Sequence, residues 1–344
     1  MIAGLRKEEN KMKKINSLYE HLAIELRKPL YNWLSYDEPL QEIRLRIGQP
    51  LMVRYGGEEI FLTTEGEKSH EGGGHTEFIV TEAMVNETLS YLSDYSLYAY
   101  EEEIKQGFFT IKGGCRIGVC GKTVMEHGKV HTIYPISSLN IRFAHEVKGC
   151  STPILPMIVE QERLYSTLFL SPPMCGKTTI LRDLIRQISN GFQLENEKTN
   201  HLSKGSCLLE GKTVGVVDER GEIGDCYLGV LQHDLGRRTD VLSNCPKVEG
   251  MMMLIRTMAP EVIAVDEIGS EEEMYTMMYG MKCGCTMLAT AHSATIEELQ
   301  TKRAFQKAME EQLFQRYVLL SRRKGIGTVE AVYDEKGSCM WKCS

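Results

Sequence analysis

The string SPPMCGKTT, Ser171 to Thr179, sets a glycine, a lysine and two hydroxyl residues side by side. Those types in that order suit a bound phosphate chain. Phosphate is held well by successive backbone N–H groups that point into a concavity at a helix N-terminus, where the helix dipole also favours negative charge. In the pattern G-x-x-x-x-G-K-[ST], Gly176 lets the backbone approach a phosphate closely. Lys177 reaches the β- and γ-phosphates, and Thr178 ligates Mg2+ through its hydroxyl. Pro172, Pro173, Met174, Cys175 and Thr179 complete the ATP-contacting segment. Two positions depart from the usual pattern: Ser171 stands where it has glycine, and Met174 where glycine is frequent. A residue with a Cβ held at positive φ costs about 1–2 kcal/mol, enough to weaken nucleotide binding without abolishing it.

Such a loop needs one acid to complete a magnesium shell and another to orient the attacking water. VIAVDE, Val262 to Glu267, supplies both at the end of an apolar, β-branched run. A buried parallel strand delivers residues there to the C-terminal edge of its sheet, beside the phosphate loop. The reading assigns Asp266 to the magnesium and Glu267 to the water. TVGVVDERGE repeats the device with Asp218, Glu219 and Arg220, and TMLATAH ends a third strand in His292. Three strands finishing in ionisable groups suggest one catalytic rim.

These residues require a strand, a loop and a helix in that order. Thr167 to Leu170 reads as the strand. Ile180, Leu181, Leu184, Ile185 and Ile188 give a helix from Thr178 to about Ser189 one buried face. Further strands alternate with helical stretches to the end of this half, predicting an α/β domain with a parallel-rich sheet over 151–344. Residues Gly191 to Gly211 lack a clear period and read as a long surface loop. The methionines at 251–253, 258, 277, 278 and 281 fall in helical stretches and read as core.

Residues 1–150 have a different texture, that of a smaller α+β domain. Leu18, Tyr19, Leu22 and Leu26, with Ile15 before them, predict a helix limited by Pro29. EIRLRIGQPLMVRYGGEEIFL and FFTIKGGCRIGVCGK predict hairpins turning at Gly56-Gly57 and Gly113-Gly114, with a helix over Glu82 to Leu92 between them. His70 and His75 flank a glycine run that reads as a loop.

The chain of 344 residues has a net charge of -7, which argues against a protein that coats nucleic acid through bulk electrostatics. Eleven cysteines without an apolar leader point to a reducing cytosol rather than to a disulfide framework. Cys283, Cys285, Cys339 and Cys343 lack the paired spacing of a zinc site. No apolar run reaches the roughly 18 residues of a membrane-spanning helix, so membrane association is expected through a partner.

SPPMCGKTTILRD, VGVVDERGEIG, RTDVLSNCPKVEGMMMLIRTMAPEVIAVDEIG and ATAH resemble the sporulation branch of the type II/IV secretion ATPase family. EIRLRIGQPL and RYVLLSRRKGIGTVEAVYDE extend the likeness over nearly the whole chain. The resemblance implies a RecA-like P-loop ATPase domain that uses ATP and Mg2+ and assembles into a homo-oligomeric, hexameric ring. That ring would serve membrane proteins of a sporulation channel from the mother-cell cytoplasmic face. It places Glu219 in an acidic segment of the site, His292 in a γ-phosphate-sensing segment, and an arginine finger in the site or in a neighbouring subunit. Arg220, Arg237, Arg238 and Arg256 are the arginines available, with Arg220 and Arg237 taken first.

Overall fold

The computed structural model describes residues 18–35, 40–69, 76–143, 146–194 and 207–343. Its chain divides into two compact units, Met1–His145 and Glu146–Ser344. His70, His75 and residues 195–206 lie outside the described residues.

The first unit is an antiparallel sheet of six strands backed by helices. The strands are β1 (Leu40–Arg46), β2 (Met52–Tyr55), β3 (Glu58–Phe61), β4 (Phe108–Ile111), β5 (Cys115–Glu126) and β6 (Lys129–Phe143), in the order β3-β2-β1-β6-β5-β4. Gly56 and Gly57, both at positive φ, make the two-residue turn between β2 and β3 as the sequence predicts. The helices are α1 (Ile24–Ser35), α2 (Glu82–Leu92) and α3 (Glu101–Lys105). The helix expected to stop at Pro29 instead pauses earlier, at His21–Ala23, and α1 then runs through the proline. Thr88 of α2 explains the break by accepting the Ala23 N–H at 3.1 Å. The carbonyl that Pro29 leaves unbonded belongs to Glu25, an exposed residue that water can reach.

The second unit is built on a sheet of eight strands. In chain order they are β7 (Thr167–Ser171), β8 (Val214–Asp218), β9 (Thr239–Ser243), β10 (Val262–Val265), β11 (Thr286–His292), β12 (Arg316–Ser321), β13 (Thr328–Tyr333) and β14 (Cys339–Lys342). The spatial order is β9-β8-β10-β11-β7-β12-β13-β14. The run from β9 to β12 is parallel, and β13 and β14 close the edge antiparallel. Every residue of β7, β8 and β10 is buried. That is why these strands read as continuous apolar runs.

Helices cover both faces of this sheet. On one, α4 (Lys177–Asn190) lays Ile180, Leu181, Leu184, Ile185 and Ile188 against Phe169, Val216, Ala264, Leu288 and Val318. On the other, α5 (Lys247–Thr257), α6 (Glu271–Lys282), α7 (Ile296–Thr301) and α8 (Arg303–Glu310) pack Met251, Leu254, Met274, Met277, Leu299 and Phe305 onto Leu168, Leu170, Ile263 and Met287. Met253 and Met258 depart from the core reading and are exposed, because they fall on the outer side of α5 and just past its end. The expected loop over Gly191 to Gly211 has structure at its ends, where Phe192–Leu194 pairs antiparallel with Cys207–Leu209. Among the described residues no helix is long and apolar enough to cross a membrane.

Candidate active site

Strand β7 delivers Ser171 to the C-terminal edge of the sheet, in register with His292 at the end of β11. The chain then turns through Pro172–Gly176 and enters α4 at Lys177. Gly176 has φ +85, and a Cβ there would lie 2.7 Å from Ile326 Cγ2, so only glycine fits. Ser171 needs no such freedom. It remains in the strand and is buried. Its carbonyl and Oγ, each at 3.0 Å, accept from Lys177 Nζ. The strained position is Met174, at φ +60.

The Lys177 ammonium also donates to the Pro172 carbonyl at 3.1 Å and stands 3.1 Å from His292 Nδ1. Burial pushes its pKa below the ordinary lysine value, against the opposing pull of Asp266 and Glu267. An ammonium only donates, so Nδ1 of His292 accepts and its proton sits on Nε2 in the neutral ring. That nitrogen is 3.0 Å from Glu267 Oε1, to which it donates. His292 thus joins the lysine of the loop to the carboxylate of the neighbouring strand.

Asp266 and Glu267 follow β10 directly. Thr178 Oγ1 donates to Asp266 Oδ2 at 2.5 Å, and Thr290 Oγ1 donates to Oδ1. A hydroxyl and a carboxylate in contact form a hard-oxygen donor set that fits Mg2+. Glu267 takes φ +53, a conformation that costs a non-glycine residue about 1–3 kcal/mol. Its N–H donates to Thr290 Oγ1 at 2.9 Å and to Asp266 Oδ1 at 3.1 Å, which holds the strained turn. Arg220 Nη1 donates to its carboxylate.

The segment after β8 is shaped by Asp218. The buried carboxylate of Asp218 accepts the N–H groups of Glu222, Ile223 and Gly224 at 2.8, 3.1 and 2.8 Å and so shapes the turn. Glu219 and Arg220 project from that turn. They line one small pocket with Lys247, Asp266 and Glu267. Lys247, which sequence reasoning missed, donates to the Glu267 carbonyl at 2.7 Å and pairs with Glu219 at 3.4 Å and Glu273 at 3.2 Å. Thr290 was also missed. Both lie inside strings that carry the resemblance, Lys247 in RTDVLSNCPKVEG and Thr290 in ATAH, but their partners meet only through sheet register and the start of α5.

The structure brings Lys177, Thr178, Asp266, Glu267, His292, Arg220 and Glu219 to one edge. Arg237 stands apart, with its N–H donating to Asn190 Oδ1 at the C-terminal end of α4. From there to Lys177 is about 20 Å along the helix. Arg238 is held at the same end by Ser189.

Comparison with known proteins agrees with this architecture. Residues 10–340 match the family model described as sporulation stage III, protein AA. Stage III sporulation protein AA of Bacillus subtilis (strain 168) is 39% identical over 312 residues, covering 91% of either chain. The uncharacterized protein ycf45 of Cyanidium caldarium is 28% identical over 165 residues, 48% of this chain and 43% of that protein. Among solved structures, the Yersinia pseudotuberculosis ATPase DotB superposes with a TM-score of 0.55 at 11% identity, over 91% of this chain and 80% of that one. The pilus retraction motor PilT with bound ADP gives 0.53 at 13%, over 92% and 83%. The fold is therefore the RecA-like one of secretion ATPases, and the chain belongs to the sporulation stage III protein AA family.

Proposed function

We propose that this protein hydrolyses Mg-ATP as the ring-forming motor of a sporulation secretion or channel complex. The observation that carries the proposal is the hydrogen-bonded set running from Lys177 through His292 to Glu267 and from Thr178 to Asp266. Lys177 exchanges the Ser171 and Pro172 carbonyls for phosphate oxygens. Phosphate restores the solvation that burial has taken from the ammonium. Thr178 and Asp266 would hold Mg2+, which would supply neutralising charge to the phosphates.

Glu267 accepts a proton from the attacking water, and its strained backbone and the His292 Nε2–H keep the carboxylate aimed. Arg220 exchanges Glu267 for charge developing on the transferred phosphoryl group, which frees the carboxylate to act as base. Lys247 balances Glu219 beside them. Arg237 cannot reach the phosphate loop of its own chain. Its place in this reading is as a finger toward a neighbouring subunit of a hexameric ring, with the ring on the mother-cell cytoplasmic side and membrane proteins as partners.

Phosphate release measured over a range of protein concentrations, with Mg2+ and with a chelator, tests this reading. It predicts Mg-dependent release whose specific rate rises with concentration as the ring forms. A purified oligomer that holds Mg-ATP and releases no phosphate would contradict it.

A further inference from the structure

We infer that Ile326 forms the apolar wall against which the base of the bound nucleotide rests. The inference builds on the phosphate-loop reading above and adds a contact outside the loop itself.

The observation is a turn placed directly over the loop. Between β12 and β13 the chain reads RRKGIG, Arg322 to Gly327, and Gly325 and Gly327 bracket the isoleucine at φ +121 and +83. Both values lie where residues with a Cβ are strained, so the turn is specified by its glycines. Its own bonds hold it: Thr328 Oγ1 donates to the Gly325 carbonyl at 2.7 Å, and the Lys324 N–H donates to that hydroxyl at 3.2 Å. A Cβ on Gly176 would meet one methyl of Ile326, Cγ2, at 2.7 Å. Gly327 packs on Ile180, in the first turn of α4. Despite these contacts Ile326 is 65% exposed. A large aliphatic side chain is therefore held open to solvent at the rim of the phosphate loop.

Sheet order determines which end of a nucleotide lies there. Strand β7 has β11 on one side and β12 on the other. The groups that act on a terminal phosphate, Lys177, Asp266, Glu267 and His292, gather on the β11 and β10 side. A triphosphate laid from that side along residues 176–179 presents its α-phosphate, ribose and base toward β12. Ile326 stands on that side and offers a face without hydrogen-bonding groups, as the flat surface of a base requires.

Binding of the non-hydrolysable β,γ-imido analogue of ATP and of inorganic tripolyphosphate, each with Mg2+, separates this contact from the loop. The assay uses the full chain, Ile326→Asn and Ile326→Phe, so that no charge is added beside the phosphates. The inference predicts that Ile326→Asn weakens the ATP analogue about tenfold, that Ile326→Phe retains it, and that tripolyphosphate binds all three equally. Equal affinity of wild type and Ile326→Asn for the ATP analogue overturns the wall while leaving the phosphate loop intact. Equal weakening of both ligands also overturns it, because the substitution would then act by distorting the loop. Failure of wild type to bind either ligand overturns the phosphate-loop reading itself.

Discussion

Met174 and Ser171 depart from the usual phosphate-loop pattern in physically different ways, and the difference can be measured. Met174 holds φ +60 on an exposed residue, whereas Ser171 lies buried in β7 and its oxygens receive the Lys177 ammonium. Met174→Gly relieves the backbone at some cost in unfolded-chain entropy, so stability rises by up to about 1 kcal/mol. Ser171→Gly removes an acceptor and lowers stability by about 1 kcal/mol. Urea unfolding of the two variants reads the opposite signs. If Ser171→Gly proves the stabilising change, Ser171 is the strained position and the loop geometry described above is wrong. The same scale holds the tautomer of His292, which follows from its two neighbours. One ring atom faces a group that can only donate, and the other faces a carboxylate.

At the scale of elements, the start of the second unit is fastened to both segments that flank the site. Gly149 and Ser151 donate their N–H groups to Asp183 of α4 at 3.0 and 2.9 Å. Glu146 receives the Asp234 N–H at 2.6 Å and lies 3.3 Å from Nδ1 of His233, on the segment that begins with Glu219 and Arg220. The hydrogen bond with His233, helped by the Asp234 N–H and Lys148, outweighs burial and lowers Glu146 from the ordinary 4.5 to about 2. A depressed carboxylate contributes stability that is complete above about 4.5 and is lost as pH falls toward 2. Wild type should therefore exceed Glu146→Gln in unfolding free energy by roughly 1–3 kcal/mol at pH 7, with the gap closing near pH 2. A gap that persists unchanged at pH 2 would mean that the ionised carboxylate is not what fastens this segment. The elements most legible in the sequence were those buried on both faces, β7, β8, β10 and β11. A strand covered by helices on either side must be apolar along its length, and it turns polar only where it reaches the edge of the sheet. The long β5–β6 hairpin was harder to read, since its outer half is largely exposed and Pro135 interrupts β6. Asp218, read as one of the acids of the rim, also shapes its turn by accepting three N–H groups, which the sequence pattern alone does not show. Lys247 and Thr290 lie inside the resembling strings yet were not singled out, because what makes them part of the site is register and helix placement rather than local pattern.

At the scale of the whole molecule, one chain gathers Lys177, Thr178, Asp266, Glu267 and His292 at one sheet edge, while Arg237 stands at the far end of α4. If Arg237 acts on a neighbour, Arg237→Ala lowers turnover at least tenfold while leaving nucleotide affinity unchanged. Mixing that protein with Glu267→Gln then restores part of the activity, since some interfaces pair an intact carboxylate with an intact arginine. No recovery on mixing would remove Arg237 from the site. The central claim, that the edge formed by β7, β10 and β11 hydrolyses ATP through Glu267, is tested most directly by comparing Mg-ATP binding and phosphate release in wild type and Glu267→Gln. The variant is predicted to bind Mg-ATP with an affinity close to that of wild type, while its release rate falls about a hundredfold or more. Equal release rates in the two proteins, or wild-type binding without any release, would contradict the claim.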